Sequence, residues 1–158
     1  MAVHDAHDVD DIDGDFATRH FGLFAARSFV ERTWGGSAVV SRSAVESAPC
    51  IVLRANAKWR FIDAQGHEIE LKPRARFAVN DPRAAVELTR RGLGVYLAPL
   101  DAVADGAPDL MRLRTPFGEP APLDLFIVYP SRRLLPRRVR QAIDWLTQPR
   151  YAPAPPTR

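Results

Sequence analysis

The sequence predicts an α/β fold, on three observations: a complete strand–helix–strand unit over residues 77–99, a β-hairpin over residues 58–71, and an amphipathic helix near the C-terminus. In the first, a β-prone run over residues 75–79 breaks at Asn80-Asp81-Pro82. Asp81 suits a helix N-cap, and Pro82 suits the first helical position because it has no N–H to lose. Ala85, Leu88 and the aliphatic stem of Arg91 recur at helical spacing, Arg90 and Arg91 fall at the negative end of the dipole, and Gly92 is placed to end the helix. Residues 95–98 then run without charge, as a strand buried on both faces does, and Pro99 closes it.

The 158 residues, 46% of them apolar, are one domain's worth of chain with material for a core. Net charge +3 arises from 22 basic and 19 acidic residues spread along the sequence, which does not by itself imply a nucleic-acid partner. Cys50 is the sole cysteine. It excludes an internal disulfide, suits a reducing compartment and reads as a small buried hydrophobe. No apolar signal region opens the chain, and no run approaches the ~20 apolar residues needed to span a bilayer, so the expectation is a cytoplasmic protein with no membrane partner.

In order, residues 1–15 hold six aspartates and few large apolar groups, and are expected to be solvated and mobile. Asp11, Asp13 and Gly14 fit part of a calcium-binding loop, but Val9 and His20 stand where its anchoring carboxylates belong, so no metal site is expected. Residues 21–26 read as the first strand. Ser28 is placed to cap a short helix over 29–34, stopped by Gly35-Gly36, with Trp34 packing against it. Ser43 and Glu46 have capping-box spacing before Pro49. Strands follow over 50–53, 58–62 and 68–71, the last two joined by a turn with Gly66, and His67 at the tip reads as a solvated turn residue. Beyond the central unit, Asp101 is placed to cap a turn over 102–104, and residues 110–114 alternate as an edge strand does. Residues 115–122, rich in proline, read as a connector. Residues 123–129 form a strand, and Pro136 opens a helix with Val139, Ala142, Ile143 and Leu146 on one face.

Enzymatic signatures are absent: no Gly-x-Ser-x-Gly elbow, no His-Glu-x-x-His, no phosphate-cradling loop, and four scattered histidines. Gly92-Leu93-Gly94 lies after a helix and before a strand, the reverse of a dinucleotide loop. Arg132, Arg133, Arg137, Arg138 and Arg140 read as the solvated face of the last helix. The chain is therefore expected not to be an enzyme and to need no cofactor. Ligand binding remains: a helix that begins where a parallel strand ends points its N–H groups and positive dipole end at the sheet edge, where a carboxylate or phosphate fits.

Several of these pieces, taken in order, carry a resemblance. Val79-Asn80-Asp81, a helix, Gly92-Leu93-Gly94-Val95, Leu97-Ala98-Pro99 and Tyr129-Pro130-Ser131-Arg132-Arg133 together resemble the effector-binding domain of LysR-type transcriptional regulators. Residues 15–19 and 23–30 resemble the family's segment that crosses into the second subdomain, with Arg27 and Phe29 departing from its pattern. Pro49-Cys50-Ile51 resembles the next strand, residues 59–70 its hairpin and residues 136–146 its final helix.

The resemblance implies a type II periplasmic-binding-protein-like α/β fold over residues 11–148, comprising the second subdomain and the strand and helix that return to the first. An acidic disordered tail (1–10) and a Pro-rich tail (149–158) flank it. It also implies that the winged helix-turn-helix and the first half of the effector domain are absent from this chain, leaving residues 123–129 and 136–147 short of the sheet they pack against. The expected function is the effector-sensing portion of such a regulator, binding a small anionic molecule near Asn80, Asp81, Pro82, Leu97 and Pro99, with no direct DNA binding by this chain alone. The alternatives are an interaction module that hetero-oligomerises with an intact regulator, and a non-functional gene fragment; the expected partners are the small-molecule effector and either a second copy of the chain, as a homo-oligomer, or a full-length regulator, as a hetero-oligomer.

Overall fold

The computed structural model describes residues 12–53, 58–104, 107–128 and 136–146. They divide into two compact units, residues 20–122 and the two segments flanking them.

The larger unit is built on a five-stranded mixed sheet of β2 (Phe21–Ala26), β3 (Pro49–Leu53), β6 (Arg74–Val79), β7 (Val95–Pro99) and β8 (Leu110–Leu113), in spatial order β6-β3-β7-β2-β8. β6, β3 and β7 run parallel, and β2 is antiparallel to both β7 and β8. Side chains alternate between two apolar clusters, as the two-residue period of a strand requires. Phe24, Ile51, Tyr96 and Ala98 face one side, with Ala85 of α3 (Pro82–Arg90) and Val103 of α4 (Leu100–Ala104). Leu23, Ala25, Cys50, Val52 and Val95 face the other, with Phe29 and Val30 of α1 (Arg27–Trp34) and Val45 of α2 (Arg42–Ser47). That second cluster also takes in Trp59, Phe61 and Leu71 of a three-stranded sheet in which β4 (Trp59–Ile62) lies between β5 (Glu68–Leu71) and β9 (Glu119–Pro120). Central strands covered on both faces account for the uncharged runs at 50–52 and 95–98.

The strand–helix–strand unit has the punctuation its sequence carries. Asp81 is the N-cap of α3, Pro82 its first residue, and Gly92 takes a left-handed φ of 69°. One strand, β3, lies between the two that α3 connects. The buried face of α3 holds Ala85 and Thr89, whereas Arg91 is exposed and paired with Glu87. Thr89 stays buried without penalty because its hydroxyl donates to the Ala85 carbonyl at 2.7 Å.

Several local expectations are corrected. α1 begins at Arg27 after Ala26, with no side-chain cap, so Ser28 lies inside the helix; Gly35, at φ 61°, ends it, and Trp34 meets Phe29 edge-on at 5.5 Å. Ser41, not Ser43, caps α2 by accepting the Ala44 N–H. Asp101 sits within the first turn of α4, whose start is held by the Leu100 N–H donating to the His20 carbonyl. The connector contains β9, which pairs with β4, so it completes a sheet.

The smaller unit pairs β1 (Ile12–Arg19) antiparallel with β10 (Leu123–Val128) and adds α5 (Arg137–Leu146). β1 starts inside the stretch expected to be solvated, with two register shifts, and the Thr18 hydroxyl donates to Asp124 at 2.8 Å. α5 buries none of its residues. The remainder of the acidic tail, Arg132, Arg133 and the Pro-rich tail lie outside the described residues.

Candidate functional site

Strand register places the candidate residues. β6 ends at Val79, opposite Leu53 of β3, and the pairs Cys50–Val95 and Ile51–Tyr96 bring the end of β7 to the same edge. The carboxyl ends of three parallel strands therefore line up. Asn80, Asp81 and Pro82 stand together where β6 gives way to α3, and all three are exposed. The Asp81 carboxylate accepts the Arg83 N–H at 2.8 Å and the Asp81 carbonyl accepts the Ala85 N–H, which fixes the first turn and aims the helix dipole out of the sheet edge. Arg83, also exposed, adds a full positive charge to that turn.

Leu97 and Pro99 lie two strands away, about 10 Å at the usual strand spacing. Leu97 is half-buried against the cluster on the face opposite α3, paired with Leu23, and Pro99 is paired with Phe21. The structure thus brings Asn80, Asp81 and Pro82 into one turn and sets Leu97 and Pro99 along the same edge, with the Leu97 side chain directed to the other face. Sequence reasoning did not bring Leu53 and Phe21 to this edge. Leu53 ends the strand between β6 and β7, and Phe21 opens the strand beyond β7. Only the pairing order reveals them, and no local pattern encodes it.

Neither Cys50 nor Asp63 forms a reactive centre. The Cys50 thiol is buried, donates toward the Ala48 carbonyl at 3.4 Å, and is pushed up to about 12 by desolvation, so it stays protonated and inert. Asp63 at the β4–β5 turn is held below the usual carboxylate range, first by the His67 backbone N–H and also by that of Gln65, and His67 is exposed beside it. No cluster of metal-ligating side chains occurs among the described residues, and none of their helices is long and apolar enough to cross a membrane.

Fold and edge together define the class: an open α/β sheet presenting the carboxyl ends of its parallel strands, the edge at which such sheets take ligands. Residues 16–149 match the LysR substrate binding domain, and the chain belongs to that family. These are effector-binding domains of transcription factors, not enzymes. Among solved structures, the regulatory domain of a variant of AphB from Vibrio vulnificus shares 22% identity over 84% of this chain and 66% of its own, with TM-score 0.66. The regulatory domain of CrgA from Neisseria meningitidis shares 17% over 92% and 71%, with TM-score 0.67. Full-length CbnR, in a complex with target DNA, shares 16% over 94% and 50%, with TM-score 0.60. The fold is the type II periplasmic-binding-protein-like fold of these domains. The chain spans about half the length of the full-length regulators and about two thirds of the isolated regulatory domains. Among curated proteins none matches.

Proposed function

We propose that this chain is the effector-sensing portion of a LysR-type transcriptional regulator, working in the cytoplasm and taking a small anionic molecule at the carboxyl edge of β6, β3 and β7. The observation that carries the reading is the exposed first turn of α3, where Asn80, the helix dipole and Arg83 offer donors and positive charge at one point of that edge. Asp81 takes up the Arg83 N–H, so the ligand's anionic group is met by the Asn80 amide and the dipole, while Pro99 supplies apolar wall along the same edge and Leu97, turned to the other face, supports β7 from behind. A thermal-shift screen of small carboxylates against the wild-type chain and Asn80→Ala tests this. The expected result is a ligand that stabilises the wild type and loses most of its effect in the variant. A full set of carboxylates without any shift, or a shift equal in both proteins, overturns the assignment.

A second reading has its own observation. α5 buries nothing and exposes Val139, Trp145 and Leu146, which favours an interaction module that associates with a full-length regulator. Silence in the ligand screen together with a mixed assembly in native mass spectrometry would select it. In either case the 158-residue chain, with its diffuse net charge of +3, is expected to give no specific duplex retardation in a gel shift.

A further inference from the structure

We propose a second anion-binding site at the opposite, amino-terminal end of the parallel strands, formed by Arg74 and Arg76 around Pro49, and taking a small oxyanion such as a phosphate or carboxylate group. Three independent features coincide there. The register between β3 and β6 slips: Arg74 faces Pro49 and Ala75 faces Cys50, but Phe77 faces Ile51, which leaves Arg76 without a partner residue on β3. An extra residue in one strand interrupts the regular alternation of its side chains, and at this slip lies a cleft of about 400 Å³ lined by Pro49, Arg74, Ala75 and Arg76.

The second feature is charge without a partner. Arg42, Arg60, Arg90, Arg91 and Arg112 each reach a carboxylate, whereas among the described residues neither Arg74 nor Arg76 does. Two guanidinium forks flanking one cleft suit an oxyanion, which each can meet with paired N–H donors. The third feature limits Arg76's freedom: its guanidinium carbon lies 5.6 Å from the centroid of the Phe77 ring, so less side-chain entropy is lost on binding. β6 is the edge strand of the sheet, so the cleft is open to solvent on that side. Arg74 and Asp81 are separated by about 20 Å of extended chain, which makes this site distinct from the one at the α3 N-terminus.

An NMR titration of the 158-residue chain with inorganic phosphate, and separately with acetate, at constant ionic strength tests the site; the two probes separate phosphate from carboxylate preference. Saturable shifts of the Ala75 and Arg76 amides are expected with at least one of them. Affinity should fall roughly tenfold or more in Arg74→Gln/Arg76→Gln, while the folded spectrum is retained because both side chains are exposed. Arg76→Lys should keep part of the binding. Linear, non-saturating shifts with both probes, or saturable shifts at Ala75 and Arg76 that persist unchanged in the double variant, would overturn it.

Discussion

Gly94 lies so close to Pro49 that a Cβ on Gly94 would collide with the Pro49 carbonyl oxygen and come within 3.1 Å of the carbonyl carbon. This contact lies just ahead of the Cys50–Val95 pair, where β3 and β7 begin to run side by side. Neither carbonyl nor strand can give way without breaking the sheet's central pairing. Gly94→Ala is therefore expected to cost about 1–3 kcal/mol in urea unfolding, through overpacking and not through backbone strain. An unchanged urea midpoint would show that the two strand starts are not locked together.

The two ends of α3 fail for different reasons when altered. Asp81→Ala removes the acceptor of the Arg83 N–H and should cost about 0.5–2 kcal/mol. Gly92 holds φ 69°, and an added Cβ would meet Ser28 Oγ at 3.1 Å and an Arg32 guanidinium nitrogen at 3.3 Å. Left-handed backbone alone costs an ordinary residue about 1–2 kcal/mol, and a β-branched side chain more, so Gly92→Val should be the more damaging change. Equal urea midpoints for Gly92→Val and the wild type would refute the placement of the helix end.

What the sequence made legible was local. Asp81-Pro82 and Gly92 mark both ends of α3, the 63–67 turn marks the hairpin, and the uncharged runs mark β3 and β7, because capping, turn chemistry and two-faced burial each leave a signal within a few residues. Strand order leaves none. That β3 inserts between β6 and β7, and so contributes Leu53 to the candidate edge, follows from long-range pairing alone. β9 is hidden for a related reason: the prolines in and around it resemble a connector, yet Pro120 sits opposite Phe61 on the edge of the small sheet, the position where proline is tolerated. Caps at Ser28, Ser43 and Asp101 were misjudged because a capping residue type is necessary but does not fix the register of a short helix.

Cys50 gives the fold a pH signature on the alkaline side. Its folded thiol titrates at about 12 against an ordinary value of 9.0, so the unfolded chain releases this proton first. As pH rises past 9.0 the unfolded state binds fewer protons than the folded one, and the thiol's contribution to stability falls until pH reaches about 12. Cys50→Ala should flatten that part of the stability profile measured by urea unfolding. At neutral pH the same burial should slow reaction with a thiol reagent at least roughly a hundredfold relative to the chain in denaturing urea. Fast labelling of the folded protein would place Cys50 outside the core.

The smaller unit should be the first to open. A two-stranded ribbon is marginal in water unless something packs on it, β1 carries two register shifts against β10, and α5 buries none of its residues. The larger unit, by contrast, encloses Ile51, Val52, Val95 and Tyr96 almost completely. Amide hydrogen exchange should therefore show β10 and α5 exchanging well ahead of β3, β7 and α3 in dilute solution. Raising the protein concentration should slow α5 exchange if copies cover one another through Val139, Trp145 and Leu146, which are 40%, 47% and 39% exposed. Trp145→Glu should then remove the concentration dependence while leaving exchange in β3 and β7 unaltered. Protection of α5 equal to that of α3 in a dilute monomer would mean that this helix needs no further covering.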